Sequence, residues 1–134
     1  MKKPLDILLI EDDMDDIDLL KDALEDNKVS YHMEVIMDGD KVSGYLESVE
    51  TLPEIIVMDL NLPKIDGKEI LLELKSSFYL TDIPIIVLTT SSSREDIDYC
   101  NNMGIRKFIT KPASMDGWNS TIHSIINVAK SFPS

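Results

Sequence analysis

Four places in the sequence set chemically capable residues at the end of a short apolar run. Glu11-Asp12-Asp13 follows Leu5 to Ile10, and Asp59 follows Ile55 to Met58. Thr89-Thr90 closes the run that begins at Ile85, and Lys111-Pro112 follows Lys107 to Thr110. Two or three carboxylates in a partly exposed site repel one another, and a hard divalent cation relieves that repulsion. Mg2+ suits such a set, because it takes oxygen ligands from a few carboxylates and keeps water and phosphate oxygens in its shell. A carboxylate can also attack phosphorus and form an aspartyl-phosphate. Charge on the phosphoryl oxygens then needs stabilising, which a cation, the Lys111 ammonium and the Thr89 hydroxyl are equipped to do.

Each of these residues also has an ordinary structural explanation. Taken alone, Glu11, Asp12 and Asp13 read better as loop acids favouring the N-terminus of a following helix. Asp15, Asp16 and Asp18 are assigned to that same helix end. Thr89 alone is a β-branched strand residue, and Lys111 alone is a surface lysine before a turn proline. Asp59 fits such an explanation less well, since it follows four strand residues and precedes Leu60-Asn61-Leu62-Pro63. The four positions acquire joint meaning only if the fold brings them to one rim.

That requires strands and helices in alternation, and the chain carries them. Leu5 to Ile10 reads as a strand with one Asp. Ile55 to Met58 and Ile85 to Thr89 are continuous and apolar, as central parallel strands buried on both faces should be. Met33 to Met37 alternates apolar with polar residues and predicts an edge strand, and Lys107 to Thr110 predicts the last strand. Ile17, Leu20 and Leu24 stripe a first helix, and Val42, Tyr45, Leu46 and Val49 a second. Ile70, Leu71 and Leu74 mark a third, entered through Asp66-Gly67. Ser93-Arg94-Glu95-Asp96 resembles a capping box opening a fourth, with Asp a weaker reciprocal cap than Glu, and Gly104 ends that helix. Trp118, Ile122, Ile125, Ile126 and Ala129 share one face of the last helix, with Ser114 as its N-cap.

The pattern predicts an α/β chain, a flavodoxin-like (βα)5 fold with a doubly wound parallel sheet of order 2-1-3-4-5. In such sheets ligands bind beyond the carboxyl ends of the strands, near the switch point between strands 1 and 3. A length of 134 residues suits one domain, with its core over about residues 5–130. The net charge of −12 repels phosphate backbones and anionic lipid, so neither nucleic acid nor a membrane is an expected partner. Cys100 is the lone cysteine, and His32 and His123 stand too far apart for a Cys/His metal spacing. No run approaches the ~20 apolar residues that span a bilayer. The N-terminal apolar segment is too short for a signal peptide, and a reducing cytoplasm is the expected setting.

Four motifs carry a family resemblance. They are Leu8-Leu9-Ile10-Glu11-Asp12, Ile56 to Pro63 with Asp66-Gly67, Ile83 to Thr89, and Phe108-Ile109-Thr110-Lys111-Pro112. In this order and spacing they resemble the receiver domains of two-component response regulators, from about Leu5 to the last helix. The resemblance implies that Glu11 and Asp12 hold Mg2+, that Asp59 accepts the phosphoryl group and touches the metal, and that the Asn61 backbone carbonyl completes the protein ligands. It implies Thr89 as the switch hydroxyl, Lys111 as the lysine that pairs with the phosphoryl group, and Phe108 as the switch aromatic. Pro112 fits the family's Lys-Pro step, often a cis bond. Asp12-Asp13 is the other alignment of the metal pair, and Glu11-Asp12 is favoured because Glu11 directly follows the apolar run. Thr90 stands where the family often has a smaller residue, which bears on water access. The loop after Thr89 and the Asp16-containing helix are similar to the single-domain regulators paired with bacterial phytochromes.

The implied activity is phosphoryl transfer to Asp59 from a sensor histidine kinase or phosphotransfer protein, with slow self-catalysed hydrolysis afterwards. The surface expected to change is the fourth helix, fifth strand and fifth helix, read by a downstream protein or used for a homodimer. With no effector region following, a single receiver domain over residues 1–134 is expected to act through other proteins. A Mg2+-dependent phosphatase with an aspartyl-phosphate intermediate is the main alternative. Such enzymes usually carry a second acid two residues after the nucleophile, where this chain has Asn61. A receiver-shaped scaffold that is never phosphorylated is the third reading.

Overall fold

Segments with no polar face must be covered on both sides, and this settles the centre of the molecule. The computed structural model describes residues 3–77, 80 and 82–131. Strands β3 (Ile55–Met58) and β4 (Ile85–Thr89) are buried at every position. They lie in a parallel sheet with β1 (Leu5–Ile10), β2 (Tyr31–Ile36) and β5 (Lys107–Thr110), in the order β2-β1-β3-β4-β5. The order and the parallel pairings agree with the predicted fold.

Successive side chains of each strand enter different cores. Ile7, Leu9, Ile55, Val57, Ile86 and Leu88 pack under helices α1 (Met14–Asp26) and α5 (Met115–Ser131). Leu8, Ile10, Ile56, Met58, Ile85 and Val87 pack under α2 (Val42–Ser48), α3 (Gly67–Ser76) and α4 (Arg94–Asn102). Each fully buried aliphatic side chain contributes roughly 1.5–3 kcal/mol, so a one-residue slip of any strand is strongly disfavoured. No helix among the described residues is long and apolar enough to cross a membrane.

Three local expectations need correction. β2 spans Tyr31–Ile36 rather than Met33 to Met37, because its ends are set by pairing with β1 from Leu5↔Tyr31 to Ile10↔Ile36. Met37 lies beyond that ladder and is 40 % exposed. Val49 is not in α2 but follows it in extended conformation, although its N–H still reaches the Tyr45 carbonyl. At α4 only half of the capping box forms. Ser93 Oγ accepts from the Asp96 N–H at 3.1 Å, but the Asp96 carboxylate turns to Lys68 at 2.6 Å and Ser91 at 2.5 Å. The short Asp side chain meets a cation on α3 and leaves the Ser93 N–H to Ser91 Oγ.

Other signals act as expected. Gly104 takes φ +83 just past α4, the left-handed conformation that a side chain disfavours. Ser114 Oγ accepts the Gly117 N–H at the start of α5. Gly67 is set by close approach, since its N–H donates to the Leu60 carbonyl at 3.0 Å. A Cβ there would stand 2.5 Å from Leu60 Cα and 2.8 Å from the Asp59 carbonyl oxygen, both backbone atoms that cannot turn aside. Gly67→Ala is therefore expected to cost about 1–3 kcal/mol of stability, read as a lowered urea midpoint at unchanged slope.

Candidate functional site

The β-ladder runs past the strand ends and holds the rim backbone in place. The Glu11 N–H donates to the Ile36 carbonyl, the Asp59 N–H to Ile10, and the Lys111 N–H to Thr89 at 2.7 Å. Glu11, Asp59 and Lys111 continue the side-chain alternation of Leu9, Val57 and Ile109, which face α1 and α5. They converge as that alternation requires. Lys111 Nζ lies 2.8 Å from Glu11 Oε1 and 2.9 Å from Asp59 Oδ2. All three side chains are nearly inaccessible, at 8, 3 and 5 % for Lys111, Glu11 and Asp59.

A third carboxylate joins them. Asp16 Oδ2, from the first turn of α1, is 2.6 Å from Lys111 Nζ, the shortest of the three contacts. The sequence reading leaves Asp16 with the solvated helix end, and the structure overturns that. Asp16 precedes the buried Leu20 and Ala23 by four and seven positions, so it tops an inward-facing row of α1. That periodicity is the signal which could have found it.

Buried acids need further donors, and the backbone provides them. Glu11 Oε2 accepts the N–H groups of Asp12 and Asp13 at 3.1 and 3.2 Å, and Asp59 Oδ1 accepts that of Asn61 at 3.1 Å. Among the described residues, no buried side-chain polar atom is left without a partner. One ammonium still faces three acids. Burial, with the Asp59 charge adding to it, pushes the Glu11 carboxyl up to about 7 against the opposing pull of Lys111. Burial works to lower the Lys111 pKa, but the hydrogen bonds it donates to Asp16, Glu11 and Asp59 outweigh it and hold the ammonium above its ordinary range.

Oxygen atoms of Glu11, Asp12 and Asp59 lie within 4.8 Å of one another. An all-carboxylate set of this size, with charge left over after pairing, fits a hard divalent cation. Of the expected metal pair, Glu11 and Asp12 take part in this grouping, whereas Asp13 is the N-cap of α1 and accepts from the Asp15 and Asp16 N–H groups.

The remaining predicted residues sit apart from the ammonium. Thr89 is fully buried, and its hydroxyl accepts the Ser91 N–H at 3.3 Å and the Asn61 amide at 3.4 Å. The same amide reaches the Thr90 hydroxyl at 3.4 Å. Thr89 follows the alternation of Ile85 and Val87 toward the α3 and α4 side, away from Lys111. Phe108 is half-buried against that same core, opposite Val87. The Lys111–Pro112 bond is trans.

The family model of the response regulator receiver domain matches residues 7–123. The chain belongs to that family. Among curated relatives, the probable methanogenesis regulatory protein FilR2 of Methanothrix harundinacea is 34 % identical over 126 residues, covering 91 % of this chain and 81 % of its own. Response regulator Rcp1 of Synechocystis is 32 % identical over 117 residues, covering 84 % of this chain and 80 % of its own. Among solved structures, the phosphorylated cyanobacterial phytochrome response regulator RcpA superposes with a TM-score of 0.87 at 32 % identity, with 98 % of each chain covered. The Mn2+-bound form of Rcp1 gives 0.81 at 30 % identity, with 91 % of each chain covered. This receiver chain thus has phytochrome response regulators among its homologues, and its five-stranded parallel fold is theirs.

The raised Glu11 pKa has a consequence for stability in the free receiver. Below pH about 4.5 Glu11 is protonated whether folded or not; from there to about 7 only the folded chain keeps the proton. Stability therefore falls as pH rises through that window, by on the order of 2–3 kcal/mol shared across the coupled cluster. Lys111, with its raised pKa, is charged throughout the window and adds no slope there. Urea unfolding at pH 5 and 8 should show the fall in wild type, and Glu11→Gln should flatten it.

Proposed function

We propose that this receiver is a phosphorylation switch of a two-component phosphorelay, with Asp59 as the acceptor of a phosphoryl group from a histidine kinase or phosphotransfer protein. One observation carries the reading: the Asp59 carboxylate both touches the Lys111 ammonium at 2.9 Å and belongs with Glu11 and Asp12 to the oxygen set suited to a cation. A carboxylate held there can attack phosphorus while the ammonium, and a cation if bound, would take up the charge of the phosphoryl oxygens.

In this reading Glu11, Asp12 and Asp59, with the Asn61 backbone carbonyl, would hold Mg2+. When bound, the ion neutralises the excess carboxylate charge and stabilises the phosphoryl oxygens in transfer. The donor's P–N bond breaks as a P–O bond forms to Asp59, and the freed imidazole nitrogen takes up a proton. Lys111 pairs with one phosphoryl oxygen. Thr89 exchanges its contacts with Ser91 and Asn61 for another, and Phe108 turns inward as the threonine moves. The α4–β5–α5 surface then changes, and a downstream protein or a second copy of the chain reads it. Hydrolysis of the acyl phosphate resets the switch.

Incubation with Mg2+ and acetyl phosphate, followed by intact-mass measurement, tests this. One hydroxylamine-sensitive phosphoryl group per chain is expected, requiring Mg2+ and abolished in Asp59→Asn. Rapid multiple turnover of phosphomonoesters would point instead to a phosphatase. Failure of every small donor and of beryllium fluoride to bind would leave a scaffold.

A further inference from the structure

Glu11 and Asp59 each have two roles, since both contact the Lys111 ammonium and both belong to the oxygen set suited to a cation. Asp16 contacts the ammonium alone, at 2.6 Å, and comes from a helix rather than a strand end. It is well anchored: its N–H donates to the Asp13 N-cap carboxylate, and the neighbouring Ile17 is buried. An ammonium has three protons, and the three carboxylates take all of them. A dication entering the Glu11–Asp12–Asp59 set repels an ammonium seated on two of the same residues. Either the ammonium stays and competes with the cation, or another acceptor draws it aside. Among the described residues, Asp16 is the carboxylate placed to do so.

We propose that Asp16 is a positioning residue for Lys111, holding the ammonium at the rim while a divalent cation occupies Glu11, Asp12 and Asp59. Cation and lysine could then both serve Asp59. The inference rests on the reading of this rim as a metal-assisted phosphoryl acceptor. It adds to that reading a residue which touches neither the phosphoryl group nor the metal.

Mg2+ titration calorimetry on a double-mutant cycle tests it, with wild type, Asp16→Asn, Lys111→Met and the double variant. Asp15→Asn is the charge control, being exposed and on the same turn. Asp16→Asn should weaken Mg2+ binding by about tenfold, the scale of one charge-assisted hydrogen bond. Asp15→Asn should weaken it by less than about threefold. In the Lys111→Met background the Asp16→Asn effect should shrink to the level of the control. Equal weakening in both backgrounds, or by Asp16→Asn and Asp15→Asn alike, overturns the inference.

If Lys111→Met does not fold, the 15N signal of the Lys111 ammonium in Mg2+-saturated protein decides. It should be protected from exchange in wild type and exchange-broadened in Asp16→Asn, whereas identical signals overturn the inference. Wild type that binds no Mg2+ removes the functional reading as well. Mg2+-dependent labelling of Asp59 without Asp16–Lys111 coupling removes this inference alone.

Discussion

One ammonium shared by three carboxylates governs the rim of this protein. Glu11 and Asp59 are almost fully buried, and two unpaired buried carboxylates a few ångströms apart would not remain ionised together. Lys111 makes the arrangement tenable without balancing it. The charge that remains, with Asp12 added, is an unmet demand for positive charge at the end of a rigid sheet. In the proposed switch that demand is met by a divalent cation, and the same surplus keeps Lys111 charged across the physiological pH range.

The sheet makes this interaction possible because its side-chain alternation sorts the rim into two halves. Glu11, Asp59 and Lys111 face α1 and α5, where Asp16 meets them. Thr89 and Phe108 face the α3 and α4 side, where the Thr89 hydroxyl is engaged by Ser91 and Asn61. That second half has its own tether. Lys68 on α3 grips Asp96 on α4, and Asp96 in turn grips Ser91 in the loop after β4. The Lys68 ammonium also lies over the Tyr99 ring, 5.3 Å from its centroid, which adds a cation–π contact to the tether. A charge added at Asp59 would therefore act across a boundary between two packed units, which is a physical basis for two discrete states.

Family membership and geometry support different parts of the functional account. The receiver-domain match and the superposition on RcpA define the fold and the kind of signalling protein. The roles proposed for Glu11, Asp12, Asp59 and Lys111 are supported by distances within this chain. Those of Thr89 and Phe108 come from the family resemblance, and the place of Asp16 rests on its contact with Lys111. Receiver domains as a family work between histidine kinases and downstream targets, and the rim described here is suited to the first of those exchanges.

The apolar pattern marks the strands and the four rim positions, because segments buried on both faces must lie at the centre of the sheet. The strand order follows the common doubly wound solution. Ends of elements are less well determined. The limits of β2 depend on its pairing with β1, and the α4 cap depends on a lysine from another helix, so neither is a local property. The site divides in the same way. Asp59, Glu11, Asp12 and Lys111 can be read from their places after apolar runs, since a parallel sheet carries all its strand ends to one edge. Asp16 cannot be separated from its acidic neighbours by residue type. Its spacing to Leu20 and Ala23 puts it on the inward row of α1. The docking of α1 against α5 and the sheet is what brings it to Lys111, because an ion pair across 95 positions of chain is decided by how surfaces pack.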